Sequence, residues 1–223
     1  MEIKPIARIK TGFKEKFGLP RNSGRVEIEG TIVFEPEFRK AESLKGIEEY
    51  NYLWLIFDFN KSHRNCFSPT VRPPRLGGNE RKGVFATRSP FRPNNLGLSC
   101  VKLVSIEKKA DTGVVLNVTG VDLLNDTPIY DIKPYIPFSD CKPDATGGFS
   151  DKYKDYKLNV VVSVKTDDLI DKKTLNVIME CISDDPRPAY IDDSRIYGMK
   201  YDGYEIKFRA KGDTAEIISI ERD

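Results

Sequence analysis

Short apolar and β-branched runs follow one another closely through the first 135 residues, at 26–34, 52–59, 83–88, 98–106, 114–121 and 129–135. A parallel pair of strands needs a crossover of about a dozen residues or more, usually a helix. Here the only helical pattern between runs is a short one at 42–49. The spacing therefore predicts an antiparallel or mixed barrel, not βαβ units. Past residue 140 the pattern changes. Turn-forming residues from Asp140 to Gly148 predict a linker over 141–156. A strand at 158–164, a helix at 167–182 and strands at 204–209 and 215–220 then form a second unit. Leu175, Ile178, Met179 and Ile182 place one apolar face on that helix. The expected fold class is α+β, mostly β, with a barrel-like domain over 1–140 and a small α+β domain over 157–223.

Several function classes fall away early. The longest apolar run, Leu53 to Phe57, is far short of the roughly 20 residues that span a bilayer. The start, Met1-Glu2-Ile3-Lys4-Pro5, lacks a basic segment followed by an apolar one, so no signal peptide is expected. The four cysteines, at 66, 100, 141 and 181, form no C-x-x-C pair, and His63 is the sole histidine. No metal site is expected from such scattered ligands, and a reducing cytoplasm suits them. A dinucleotide-type sheet would need a Gly-rich turn after its first strand and an acidic residue about 20 positions on. Neither is found.

Charge is more informative by segment than in total. The chain carries 36 basic and 34 acidic side chains, net +2, but residues 61–100 hold 8 basic against 1 acidic. That segment runs through V-R-P-P-R-L-G-G-N (71–79) and A-T-R-S-P-F-R-P-N (86–94). Prolines stiffen these loops, so their arginines lose less entropy on forming forked contacts with phosphate or carboxylate. Phe85 and Phe91, interleaved among them, suit base stacking in single-stranded RNA. The alternative is a structural loop whose arginines brace acidic neighbours. Three further Pro- or Gly-punctuated loops stand at 10–24, 122–128 and 184–190, the last reading D-D-P-R-P-A-Y.

Taken in order, these loops resemble the TrmO family of tRNA methyltransferases, over nearly the whole chain. The resemblance rests on F-K-E-K-F-x-x-P-R, V-R-P-P-R-L-G-G-N, G-V-F-A-T-R-S-x-F-R-P-N, D-I-K-P-Y-x-P-F and D-P-R-P-A-Y. It implies a homodimeric, cytoplasmic enzyme with a non-Rossmann, barrel-like cofactor domain. It also implies transfer of a methyl group from S-adenosylmethionine to N6 of N6-threonylcarbamoyladenosine at position 37, beside the tRNA anticodon. No membrane partner and no metal are expected. The matched loops place the cofactor near Arg21, Asn22, Ser23, Asn60, Lys61, Arg88, Thr119, Asp122, Leu123, Leu124 and Asn125. By the same resemblance, Arg72, Arg75, Arg92 and Lys133 are expected to contact tRNA. Asp185 is the candidate general base, with Arg187 and Tyr190 holding the threonylcarbamoyl carboxylate or the anticodon-loop backbone.

Two positions depart from the family pattern. Asn95 stands where a second proline is usual in F-R-P-N-P-x-G. Asn125-Asp126 stands where Asp-Gly is usual, and Asn is expected to make that turn. Two other functions fit the same basic loops: a non-catalytic tRNA- or RNA-binding module, and a methyltransferase of this fold acting on another substrate.

Overall fold

The structure is a computed structural model describing residues 2–76, 80–166, 169–188 and 195–223. Six strands close a barrel in the order β1 (Ala7–Thr11), β2 (Gly30–Phe34), β7 (Gly113–Thr119), β6 (Leu96–Lys109), β3 (Tyr52–Asp58) and β8 (Thr127–Pro134). Every neighbouring pair is antiparallel. Closure leaves no unpaired edge in this sheet. Alternation fills the interior: Leu53, Leu55 and Phe57 point inward from β3, while Tyr52, Trp54 and Ile56 face out. Gly97 on β6 lets the backbone pass the Phe57 ring, since a Cβ there would lie 2.2 Å from Cζ.

Two expected elements differ. Residues 42–49 form two 3₁₀ turns, Ala41–Leu44 and Ile47–Glu49, because Gly46 between them takes φ 88° and breaks the helix. Residues 83–88 hold only the end of a two-residue strand, β5 (Lys82–Gly83), paired with β4 (Thr70–Val71). A 3₁₀ turn, Val84–Ala86, follows it. β1 was not expected as a strand: its five residues carry two basic side chains that face away from the core.

After β8 come a one-turn helix, α1 (Pro137–Asp140), and a 3₁₀ segment, Gly148–Tyr153. The second sheet has the order β10 (Tyr197–Tyr201), β11 (Tyr204–Lys211), β12 (Thr214–Arg222) and β9 (Asn159–Val162), with β9 parallel to β12. β10 was also unexpected. It pairs with β11 through a two-residue Asp202-Gly203 turn in which both residues have positive φ, 49° and 80°. That is the backbone a tight hairpin requires. The helix α2 (Lys172–Ser183) starts later than expected, where the Asp171 carboxylate caps it by accepting from the Thr174 amide at 2.9 Å. Its buried face is Val177, Ile178, Cys181 and Ile182, flanked by half-buried Leu175 and Met179.

The basic loop at 10–24 packs onto the second sheet. Phe13 is fully buried with its ring 4.8 Å from Tyr201, and Phe17 stacks on Tyr197 at 5.8 Å. Gly12 and Gly18 permit the approach: a Cβ on Gly18 would fall 2.1 Å from the Met199 sulfur. One continuous hydrophobic cluster thus crosses from barrel to second sheet.

Candidate active site

The C-terminal motif is built by the way α2 ends. The Asp184 and Asp185 amides donate to Glu180 O and Ile182 O, each at 3.0 Å, and Pro186 prevents another turn. Asp185 is left in the left-handed region at φ 49°, a strained backbone for a non-glycine residue. Its carboxylate is enclosed by donors. Arg187 gives its Nε to Oδ1 at 2.8 Å, its amide to Oδ1 at 3.2 Å and its Nη2 to Oδ2 at 3.3 Å. The Tyr156 hydroxyl and Arg75 Nη1 donate to Oδ2 at 3.1 and 3.4 Å.

Both domains supply this network. Arg75 Nη2 also donates to Asp184 O and Asp185 O, while its guanidinium lies 4.8 Å from the Tyr156 ring centroid. Arg21 Nη2 donates to Pro186 O and Arg187 O at 3.3 and 3.1 Å. Asp184 accepts from Arg25 Nε and Nη2 at 2.9 and 2.6 Å and pairs with Lys157 at 3.3 Å.

The electrostatics follow from these contacts. Burial works to raise the Asp185 pKa, but the hydrogen bonds and charge of Arg187, with the charge of Arg75, hold it below the ordinary carboxylate range. To accept a proton this group would have to release two cations. The arrangement suits an anchor for the loop far better than a general base. Arg187 is likewise enclosed, donating Nη1 to Ala210 O at 3.3 Å with a side chain 7% exposed. Asp185 raises its pKa despite burial, which opposes that rise. Tyr190 lies outside the described residues. Sequence reasoning missed Arg25, Tyr156 and Lys157, since nothing in a turn-rich segment marks Tyr156 as a partner for Asp185.

Some expected cofactor residues meet beside this network. Arg88 is exposed and donates Nη1 to Asn22 Oδ1 at 3.3 Å, one residue from Arg21. The Ser23 hydroxyl accepts from the Cys100 amide at 3.2 Å. The Ser99 hydroxyl donates to Asp122 Oδ1 at 2.5 Å. Asp122 is raised to about 6, first by burial, against the opposing hydrogen bonds of Ser99 and its own backbone, the charge of Arg88 and the Ser23 backbone. A carboxylate titrating there is a marker of a functional site.

Leu123, Leu124 and Asn125 continue from Asp122 into the turn before β8. Leu123 O accepts from the Thr11 hydroxyl at 3.2 Å, and Asn125 Oδ1 accepts from the Thr11 amide at 3.2 Å. Leu123 and Leu124 are buried. The positive φ of this turn, 64°, falls on Asp126 rather than Asn125. Thr119 donates its hydroxyl to Glu27 Oε2 at 2.9 Å. Asn60 and Lys61 are exposed, and their loop is tied instead to the N-terminal loop: Lys61 Nζ donates to Lys14 O at 3.0 Å, and Lys16 Nζ to Lys61 O at 2.6 Å.

The expected RNA-contacting cations divide in two. Arg72 and Lys133 are exposed, with Lys133 paired to Asp131 at 3.0 Å. Arg75 is 15% exposed and belongs to the Asp185 network. Arg92 donates Nη1 to Val84 O and Thr87 O at 3.2 and 2.7 Å. These two brace loops, as the structural alternative holds. His63 lies outside the network, with Nε2 2.7 Å from Asp58 Oδ1.

A groove of about 420 Å³ between the domains is lined by Arg25, Val26, Glu27, Lys157, Glu180 and Ser183, and by none of the expected cofactor residues. Among the described residues, no group of three or more His, Cys, Asp or Glu side chains is placed to hold a metal ion. S-Adenosylmethionine presents a carboxylate, an ammonium, a ribose diol and an adenine. The donor set fits it: exposed Arg88 for the carboxylate, Asp122 as acceptor for hydroxyls or the ammonium, and the Asn22 amide that Arg88 contacts. The Asn125 amide is taken up by Thr11 and Asp126.

Comparison with known proteins covers both domains. The N-terminal domain of tRNA-methyltransferase O matches residues 8–141, and the TrmO C-terminal domain matches residues 157–223. A tRNA (adenine(37)-N6)-methyltransferase of Escherichia coli K12 is 33% identical, across 99% of this chain and 97% of its own length. A Pseudomonas aeruginosa protein provisionally named an S-adenosylmethionine-dependent methyltransferase is 35% identical, across 89% of this chain and 87% of its own. The crystal structure of Pseudomonas aeruginosa TrmO superposes with a TM-score of 0.76 at 28% identity, covering 99% of this chain and 98% of that one.

Proposed function

The chain belongs to the TrmO family, and from that premise we propose that it transfers a methyl group from S-adenosylmethionine to N6 of the adenine at tRNA position 37. One observation carries the reading beyond likeness. Four separate motif loops form a single chain of contacts, from Arg88 to Asn22, from Arg21 to Pro186 and Arg187, and from Arg75 to Asp185. Loops distant in sequence converge in this way where a site must be held rigid.

The donor, when bound, supplies an already activated sulfonium methyl group. The protein's task is then alignment of donor and acceptor. Arg88, Asn22, Ser23 and Asp122 are the residues we assign to holding the donor. Thr119, Asn60, Lys61, Leu123, Leu124 and Asn125 join them on the family resemblance alone. Asp185 acts as a positioning residue: with Arg187, Arg75 and Tyr156 it sets the D-P-R-P loop against Arg21. Arg72 and Lys133 are exposed, and although Lys133 pairs with Asp131 at the surface, both are placed to meet phosphates electrostatically. The finer substrate is the N6-threonylcarbamoyl form of the base, whose carboxylate suits the basic loops. Homodimerisation belongs to the same reading. It is supported by apolar groups on the outer face of β3 and β6, including Tyr52 and Leu98, and by Phe138 on α1.

Labelled S-adenosylmethionine offered with tRNA carrying or lacking the threonylcarbamoyl group tests the activity. Methylation of the modified RNA alone is expected. Equal labelling of both would overturn the finer substrate, and labelling of neither would overturn the function. Sedimentation equilibrium tests the dimer.

A further inference from the structure

The turn Val84–Ala86 lifts an aromatic ring out of the protein. Val84 is 1% exposed and sinks inward, whereas Phe85 beside it keeps 73% of its surface exposed. The backbone around it is closely held. The Val84 amide donates to Pro69 O at 3.0 Å, and Val84 O accepts from the Thr87 amide and hydroxyl at 3.2 and 2.9 Å. Arg92 braces the same turn from below. Its Nη1 bonds Val84 O and Thr87 O, and its guanidinium carbon lies 5.7 Å from the Phe85 ring centroid. A second pair stands close in sequence, with the Arg64 guanidinium 3.4 Å from the Phe91 ring centroid.

A single exposed phenylalanine is ordinary on a protein surface. Three features set this one apart. Its backbone is held by its own turn, a cation lies beside its ring, and it is carried on a segment with 8 basic and 1 acidic side chains. Arg88, assigned above to the donor, follows three residues later. An apolar ring within a cationic field matches an unpaired nucleotide, which offers a π-face for the ring and a phosphate for the field. An apolar protein partner would gain nothing from the charge. We propose that Phe85 is a stacking platform for an unpaired base of the tRNA substrate, with Arg92 as its positioning residue. The proposal rests on the tRNA-methylating function and adds to it the contact that recognises single-stranded RNA. Because the turn is already held in place, its backbone has little order to gain on binding, which lowers the entropy cost of the stacking contact.

The test uses the full chain, a tRNA substrate and four proteins: wild type, Phe85→Ala, Phe85→Leu and Phe85→Trp. Leucine keeps the apolar bulk without the π-face. Both Phe85→Ala and Phe85→Leu should weaken tRNA binding and raise the tRNA KM about tenfold, a typical loss for one stacked base. Turnover at saturating tRNA and the melting-temperature rise caused by S-adenosylmethionine should stay at wild-type values. Phe85→Trp should retain affinity, and its added emission, measured against the Trp54 background, should be quenched by tRNA. Wild-type affinity in Phe85→Leu, or unquenched emission in Phe85→Trp, overturns the stacking contact. Loss of self-association in Phe85→Ala at unchanged tRNA affinity also overturns it, in favour of a contact between copies. If the wild type methylates tRNA while the variants match it, only this proposal fails. If the wild type neither binds nor methylates tRNA, the function and the proposal fail together.

Discussion

Two sets of arginines, alike in the sequence, occupy opposite environments. Arg21, Arg25, Arg75 and Arg187 turn inward and are taken up by Asp184, Asp185 and the carbonyls around them. Arg64, Arg88 and Arg92 lie along the Phe85–Phe91 surface, against rings, an asparagine and the turns that carry those rings. Both sets arise from proline-stiffened loops. What separates them is the acceptor each fork meets. A buried carboxylate requires its cations, because an unpaired charge inside a protein is very costly. A surface ring gains only modestly from a cation and leaves most of the surrounding field for a ligand. The total of basic residues therefore overstates how many can touch RNA.

Variants at the two sets should separate these roles. The largest effect is expected from Asp185→Ala, which strands Arg187 and Arg75 and should lower unfolding free energy by about 3–5 kcal/mol, read by denaturant titration. Because the Asp185 pKa is depressed in the folded state, its contribution is complete above the unfolded value near 4 and fades only in stronger acid. A variant equal to wild type at pH 7 would show that the network is not structural.

Asp122→Asn should act in the opposite direction. A carboxyl raised to about 6 penalises the fold once it is charged, so the penalty develops as pH rises between about 4 and 6. The variant should be more stable than wild type by on the order of 2 kcal/mol at pH 7.5, with no gain at pH 4. It should also lose thermal stabilisation by S-adenosylmethionine. A gain that persists at pH 4 would contradict the assignment.

Arg75→Lys retains the charge but not the fork. About 1–2 kcal/mol of stability should disappear, since hydrogen bonds to Asp184 O and Asp185 O are lost. Arg88→Ala is expected to change stability least, within about 0.5 kcal/mol, while weakening the response to S-adenosylmethionine. A large stability loss there would move Arg88 into the inward-facing set and erase the contrast.

Much of the barrel was legible. Runs at 52–59, 98–106, 114–121 and 129–135 correspond closely to β3, β6, β7 and β8, because alternation survives wherever one face is buried. β1 and β10 were harder. β1 has Arg8 and Lys10 on its outward face, and the short Tyr197–Tyr201 run follows a charged stretch. The Asp202-Gly203 pair was nonetheless a readable hairpin signal between two tyrosines. At the family's usual Asp-Gly, the glycine conformation passes to Asp126, whose carboxylate also pairs with Lys10. The departure keeps the turn by a different residue from the one expected.

The motifs were readable as motifs, but not the use made of each side chain. F-K-E-K-F reads as a basic loop. In the fold its two phenylalanines pack against Tyr201, Tyr197 and Phe208. D-P-R-P reads as a reactive carboxylate beside a substrate-binding arginine, whereas in the fold the two are each other's partners. Local chemistry, chain stiffness and strand periodicity are encoded over a few residues, so the sequence by itself determined the barrel class, the order of the loops and their charge. Which guanidinium meets a carboxylate and which stays at the surface depends largely on distant partners, 66 positions away for Arg88 and Asn22, 110 for Arg75 and Asp185, and 159 for Arg25 and Asp184. Only the tertiary structure decides that, because burial and pairing belong to the assembled surroundings and not to the residue.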